Sequence, residues 1–322
     1  MGELLDGRLR GNALWRCPAE RAGSRAGGPG DRGIHRDEVR SLSPRPACGP
    51  LGARREGRLT VAQRLYGIIG YPIGQARSPE VFNDLLRQAG EDAVMMPLEV
   101  APERFEDCLD GLRAIANFAG LVVTVPHKLA AARIASRRSK RVERVGAANL
   151  LRPVAEGWEA DLSDGIGFVA GLRASGHSVE GQFVSVVGAG GAGVAISEAL
   201  LSAGARVSIT DIDGKKASEA ARRLSSVGHI EVRKPSLEHS LVVNATPVGM
   251  AGDPQLPLNL DDLGPAALVA EAIMKPPVTP LLKEAARRGH SIHEGSHMLD
   301  GQVPAIWDFL GMSCQPAVQE VK

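Results

Sequence analysis

Cysteine is scarce in this chain. Four residues (Cys17, Cys48, Cys108, Cys314) are scattered along it, with no C-x-x-C pair among them. That spacing excludes a disulfide scaffold and a thiolate metal site, and it fits a reducing compartment with no metal expected. Long apolar runs are missing too: none approaches the roughly 20 residues of a membrane helix. The first residues lack the apolar core of a secretory signal, so a cytoplasmic location and no membrane partner are expected. Net charge is only +1, too little to draw nucleic acid or acidic membranes by a general field. Aromatics are low at 3%, while 43% hydrophobic and 23% charged residues are ordinary for a soluble globular protein. The 322 residues suffice for two domains.

The stretch that organises the chain is 183–213, FVSVVGAGGAGVAISEALLSAGARVSITDID. Phe183, Val184, Val186 and Val187 read as a buried strand. Gly188, Gly190 and Gly193 follow in G-x-G-x-x-G order, and Val194, Ile196, Ala199, Leu200 and Leu201 make a helical stripe that stops at Gly204. A second strand, 207–210, delivers Asp211 and Asp213 about twenty residues past the glycines. The chemistry explains the spacing. Gly188 permits a sharp turn, Gly190 lets backbone approach a pyrophosphate, and Gly193 lets the helix pack close on the sheet. Free N–H groups and the positive dipole end then favour an anion at the helix start. A lone glycine motif is weak evidence; strand, glycines, helix and acid together are a composite signal for a dinucleotide. A carboxylate at Asp211 accepts ribose hydroxyls and repels a 2′-phosphate, and no Arg neighbours it. NAD is therefore favoured as cofactor, with NADP kept open by Lys215 and Lys216.

Residues 1–60 are rich in Arg, Gly and Pro and lack apolar periodicity. They read as a disordered extension rather than an arginine-rich arm for nucleic acid, since acids are interspersed. From 65 onward, strands at 65–70, 93–100 and 120–125 alternate with helices starting at Ser78, Pro102 and His127. A hairpin at 149–152 and 158–160 follows, then a connecting helix after Asp161, further strands at 241–245 and 267–273, a helix at 280–289 and a final amphipathic helix. The fold class expected is α/β with two domains: an N-terminal α/β substrate domain with a mostly parallel sheet, and a Rossmann-type dinucleotide-binding domain. The boundaries expected are 1–60 for the extension, 61–163 for substrate binding and catalysis, 164–294 for the dinucleotide, and 295–322 for a C-terminal helix packing back on the substrate domain.

Several stretches resemble the shikimate dehydrogenase family. They are G-Y-P-I-G-Q-A-R-S-P at 70–79, V-T-V-P-H-K at 123–128, V-G-A-A-N at 145–149 and D-L-S-D-G at 161–165. The likeness continues through G-A-G-G-A-G at 188–193, N-A-T-P-V-G-M at 244–250, T-P-L-L at 279–282 and G-S-H-M-L-D-G-Q at 295–302. It runs from about residue 65 to the C-terminus in the family's order. The resemblance implies a dehydrogenase interconverting shikimate and 3-dehydroshikimate, or quinate and 3-dehydroquinate. It implies a catalytic dyad of Lys128 and Asp164, with Ser78, Thr124, Asn149 and Gln302 on the ring acid. It also implies Gly188, Ala189, Gly190, Gly191, Ala192, Gly193, Thr246 and Gly295 at the cofactor, beside Asp211 and Asp213, which the spacing already places there. A small ring acid is then the partner, with a homodimer allowed. The dyad makes chemical sense, since reducing a ketone needs a proton on oxygen, which a lysine can carry and a carboxylate can orient.

Departures from the family pattern point elsewhere. Ala76 stands where a serine is usual, Met274 where a tyrosine is, Ser163 for a threonine and Glu271 for an aspartate. Val122, Leu150 and Leu162 replace polar residues, and Asp211-Ile212-Asp213 replaces an NADP-clamping Asn-Arg-Thr. A lost donor to a charged carboxylate costs roughly 1.5–3 kcal/mol. These changes favour a divergent member, and a weak nucleotide- and ring-acid-binding sensor of the same fold is the alternative.

Overall fold

The computed structural model describes residues 63–74 and 78–312. The 1–60 extension, Ala76 and the end of the 295–322 segment lie outside the described residues. Strand β1 (Arg64–Gly70) leads to α1 (Ser78–Gln88), β2 (Ala93–Glu99), a 3-10 turn at Pro102–Arg104, α2 (Phe105–Arg113), β3 (Phe118–Val123) and α3 (Lys128–Ile134). Next come β4 (Arg137–Arg138), α4 (Lys140–Val145), the hairpin β5 (Leu150–Val154) and β6 (Gly157–Asp161), and α5 (Asp164–Ala174). The second half runs β7 (Phe183–Val187), α6 (Gly191–Ser202), β8 (Arg206–Thr210), α7 (Gly214–Leu224), β9 (Ile230–Val232) and β10 (Leu241–Asn244). It closes with β11 (Leu268–Glu271), α8 (Pro280–Arg287), β12 (Ile292–His293) and α9 (Ser296–Leu310).

Two six-stranded sheets result. The first has the order β2-β1-β3-β5-β6-β4, with β1 parallel to β2 and β3 and the β5–β6 hairpin antiparallel. The second has the order β12-β11-β10-β7-β8-β9 and is parallel throughout. Counted within that half, the order is that of a doubly wound dinucleotide fold, whose ligand crevice lies where the order reverses, between β7 and β10. The FVSVV strand is buried at every position, as a parallel strand covered on both faces must be.

Helix α5 joins the two sheets and is apolar nearly all round, because it has neighbours on two sides. A Cβ on Gly165 would meet the Ala195 carbonyl oxygen of α6 at 2.0 Å. One on Gly301 of α9 would meet the Gly167 oxygen of α5 at 2.2 Å. Only glycine permits such backbone-to-backbone approach. Helix α9 also covers the first sheet, where Ile306, Trp307 and Leu310 pack with Tyr66, Ile68, Val122 and Leu150.

A cluster of imidazoles sits where β12, α9 and the end of α5 meet. His293 is 2% exposed, and its Nε2 has no hydrogen-bond partner. Its ring stacks on His297 at 4.8 Å and meets His177 edge-on at 6.3 Å. Burial first, then the charges of His297 and His177, push the His293 pKa down to about 4. In the unfolded chain the ordinary value is about 6.5. The unfolded state therefore takes up this proton first as pH falls, so the stability is present above 6.5 and is lost progressively toward pH 4. Replacing His293 with Phe is expected to flatten the dependence of melting temperature on pH in that window. An unchanged slope in the variant refutes this account.

Candidate active site

The carboxyl ends of β1 and β3 lie side by side. Thr124 N bonds the Ile69 oxygen, and Tyr71 N bonds the Val125 oxygen. Because β5 runs antiparallel to β3, its first residues come to the same rim: Val123 N donates to the Asn149 oxygen at 2.7 Å. Asn149 N in turn bonds the Asp161 oxygen at the end of β6. Thus Thr124, Lys128, Asn149 and Asp164, far apart in sequence, are delivered to one edge. Ser78 opens α1 on the helix returning from β1 and is buried.

The Lys128 Nζ lies 2.5 Å from Asp164 Oδ2, with side chains 26% and 6% exposed. The other carboxylate oxygen, Oδ1, accepts from Asn149 Nδ2 at 2.9 Å and from Gln302 Nε2 at 3.4 Å. Asn149 is itself fixed, since its Oδ1 accepts from Ser163 N at 2.8 Å and its Nδ2 donates to Ser163 Oγ at 2.9 Å. Ser163 Oγ is also 3.3 Å from Gln302 Oε1. The start of α3 is pinned by Ala148 N bonding the Lys128 oxygen at 2.9 Å. A lysine ammonium has three donors. One is spent on Asp164, and the remaining ones sit on a partly exposed head that a ligand can reach.

The N-cap of α5 is Ser163, so Asp164 is free of capping duty and its carboxylate serves this cluster. Ser163 is the member that sequence reasoning did not select as a site residue. Its only signal was its place inside D-L-S-D-G. Among the replaced polar positions, Val122 and Leu150 are register partners on the face covered by α9, and Leu162 is also core. Their apolar character belongs to packing and leaves the polar cluster whole. Met274 is 44% exposed.

At the second sheet the glycine loop follows β7. Gly188 has φ +107, and a Cβ on Gly193 would lie 1.9 Å from the Gly188 oxygen. Gly190 and Gly191, by contrast, have no atom within 4 Å of where a Cβ would stand. The start of α6 is thus open and has no side-chain cap on its N–H groups, which fits a dinucleotide pyrophosphate there. Ala192 lies in the first turn of that helix. Asp211 Oδ2 accepts from Ala189 N at 2.7 Å and Oδ1 from Asp213 N at 2.9 Å, so its carboxylate is held against the loop. Asp213 caps α7 through Lys215 N at 3.0 Å. Thr246 abuts the loop from β10, its methyl 2.9 Å from where a Gly188 Cβ would stand. Its hydroxyl donates to Asn244 Oδ1 at 2.7 Å, and Asn244 Nδ2 donates to buried Glu271 at 3.1 Å. Gly295 lets α9 start against the Ile273 oxygen, which a Cβ would meet at 2.3 Å. Beyond Asp211, an open hollow of about 780 Å³ is lined by exposed Ile212, by Asp213, Lys215 and Ser218, and by Arg222, a cation absent from the sequence reading. Among the described residues no helix is long and apolar enough to cross a membrane, and no acid, His and Cys group could hold a metal.

The family model for the shikimate dehydrogenase substrate binding domain matches residues 68–151. The NADP(+) shikimate dehydrogenase of Acidiphilium cryptum is 41% identical over 254 residues, which cover 78% of this chain and 91% of that one. Among solved structures, shikimate 5-dehydrogenase from Listeria monocytogenes, in complex with shikimate and NAD, is 26% identical with a TM-score of 0.74, over 81% of this chain and 96% of that one. The enzyme from Thermus thermophilus, in complex with NADP(H) and shikimate, is also 26% identical, with a TM-score of 0.72, over 80% and 97%. The chain belongs to the shikimate dehydrogenase family of oxidoreductases.

Proposed function

We propose that this chain interconverts shikimate and 3-dehydroshikimate, with quinate and 3-dehydroquinate as the neighbouring pair, using a nicotinamide dinucleotide. The observation that carries the reading is the contact of Lys128 Nζ with Asp164 Oδ2 at 2.5 Å, on a rim that substrate can reach. The dinucleotide, when bound, supplies or takes up the hydride. Lys128 passes the proton to or from the ring oxygen. Asp164 orients that ammonium, and Asn149 and Gln302 orient Asp164. Ser78, Thr124, Asn149 and Gln302 hold the carboxylate and hydroxyls of the ring acid. The glycine loop of Gly188, Ala189, Gly190, Gly191, Ala192 and Gly193 cradles the pyrophosphate, flanked by Thr246 and Gly295. Asp211 takes the ribose hydroxyls and, with Asp213, makes NAD the better cofactor.

The intact polar cluster argues against a sensor without turnover, because the apolar departures Val122, Leu150 and Leu162 lie in the core. The experiment is direct. Purified protein is mixed with shikimate or quinate and either cofactor, and reduced nicotinamide is followed by its near-ultraviolet absorbance. Turnover of either acid supports the reading, and its absence with all four pairs overturns it.

A further inference from the structure

A second hollow, of about 380 Å³, lies between α4, α5 and α6, away from the Lys128 cluster and the glycine loop. Its walls carry Lys140, Arg141, Arg144 and Arg173, with a single carboxylate, Glu198. Two of the cations are already matched. Arg144 Nη1 lies 2.8 Å from Glu198, which is 2% exposed, and Arg141 Nη2 lies 2.7 Å from Asp161. Ser202 Oγ donates to Glu198 as well, at 3.3 Å. Those pairs set Arg141 and Arg144 in place and leave most of their guanidinium N–H donors unspent.

The side chains of Lys140 and Arg173 have no ion-pair or hydrogen-bond partner among the described residues. The hollow therefore holds two positive charges without a counter-charge. Its floor is apolar: Ile166, Val169 and Ala170 of α5 and Ala199 of α6. The volume falls in the usual small-ligand range of about 300–1,000 Å³.

We propose that this hollow is a second anion site, which binds a small phosphate monoester carried on an apolar body. Charge sets the class, because a monoester carries about −1.5 to −2 near neutral pH, matching the two uncompensated cations. Geometry agrees, since guanidinium forks suit phosphate oxygens better than a point charge does. The floor accounts for the apolar body. An occupant would touch three helices that all lead to the active site. Helix α4 runs through Gly146 toward Asn149, α5 begins at Asp164, and α6 begins at the glycine loop. The site is thus placed to tie ligand binding to the posture of the catalytic rim.

The test uses the full chain saturated with NAD, so that the glycine loop cannot take the probe. Phenyl phosphate and inorganic phosphate are titrated separately by calorimetry. Phenyl phosphate is expected to bind at least about tenfold tighter than inorganic phosphate. The double variant Lys140→Glu, Arg173→Glu is expected to weaken it by at least about tenfold. Both positions are exposed and unpartnered, so the melting temperature of the variant without probe should match the parent. Equal affinity in parent and variant, equal affinity for the two probes, or no binding by the parent each overturns the proposal. The readout is binding, so none of these results bears on the dehydrogenase reading.

Discussion

Replacing Lys128 with Ala is expected to lower turnover by roughly 10²–10⁴-fold with little change in KM for the ring acid, the range for a lost general acid–base group. The size follows from the wiring of the site. Among the described residues Lys128 Nζ is the only cation bonded to Asp164, whose other oxygen is held by Asn149 and Gln302. Removing the ammonium takes away the proton carrier but leaves that amide-held carboxylate, and with it the wall that meets the ring, in position. In the proposed reading ground-state binding rests on Ser78, Thr124, Asn149 and Gln302, none of which the change removes. Lys128 is also the first residue of α3 and partly exposed, so its truncation leaves no cavity in the core. Steady-state kinetics with shikimate and quinate check it. Near-normal turnover in a folded variant sinks the mechanism, and a rise in KM with turnover preserved makes Lys128 a binding residue only.

Much of the fold was legible because its signals are local. The FVSVV run, the glycines and the distance to Asp211 fix a strand–loop–helix–strand unit, and all three elements stand where the spacing put them. Short elements escaped. Helix α4 is six residues long and mostly charged, so no apolar stripe announced it. Its real signals are the caps: Ser139 Oγ accepts from Val142 N, and Gly146 closes it in the left-handed region at φ 72. Strands β9 and β12 span three and two residues and exist because a parallel neighbour offers them a ladder.

The candidate site was legible only where chemistry and spacing coincide. Lys128 and Asp164 were readable from their motifs, but the partnership of Asn149, Ser163 and Gln302 was not. Gln302 reaches Asp164 across 138 positions because Gly167 and Gly301 let α5 and α9 touch backbone to backbone. The apolar residues Val122 and Leu150 were misleading for the opposite reason. Beside a catalytic motif they looked like lost polar groups, yet strand alternation turns them to the α9 face.

The cofactor sets the second large expectation: kcat/KM at least roughly tenfold higher with NAD than with NADP, a free-energy difference of about 1.4 kcal/mol. The Acidiphilium cryptum relative carries NADP(+) in its name, so similarity and local chemistry pull in opposite directions. Locally, Asp211 is pinned by Ala189 N and Asp213 N, so its carboxylate cannot swing away from an incoming 2′-phosphate. Two N–H donors fix its oxygens in place and still leave lone pairs for a ribose diol. The position after it, which could have carried a guanidinium, is Ile212, fully exposed with nothing to offer an anion. Against this stand Lys215 and Arg222, which line the hollow next to Asp213. Both are exposed, where charges are screened by solvent and salt, whereas Asp211 lies against the loop itself. The fixed carboxylate should therefore outweigh them. Changing Asp211 to Asn together with Ile212 to Arg is expected to move the preference toward NADP, while Arg222→Ala should leave the parent's preference for NAD intact. If the parent enzyme prefers NADP and Arg222→Ala removes that preference, the α7 cation rather than Asp211 governs the ribose end of the site.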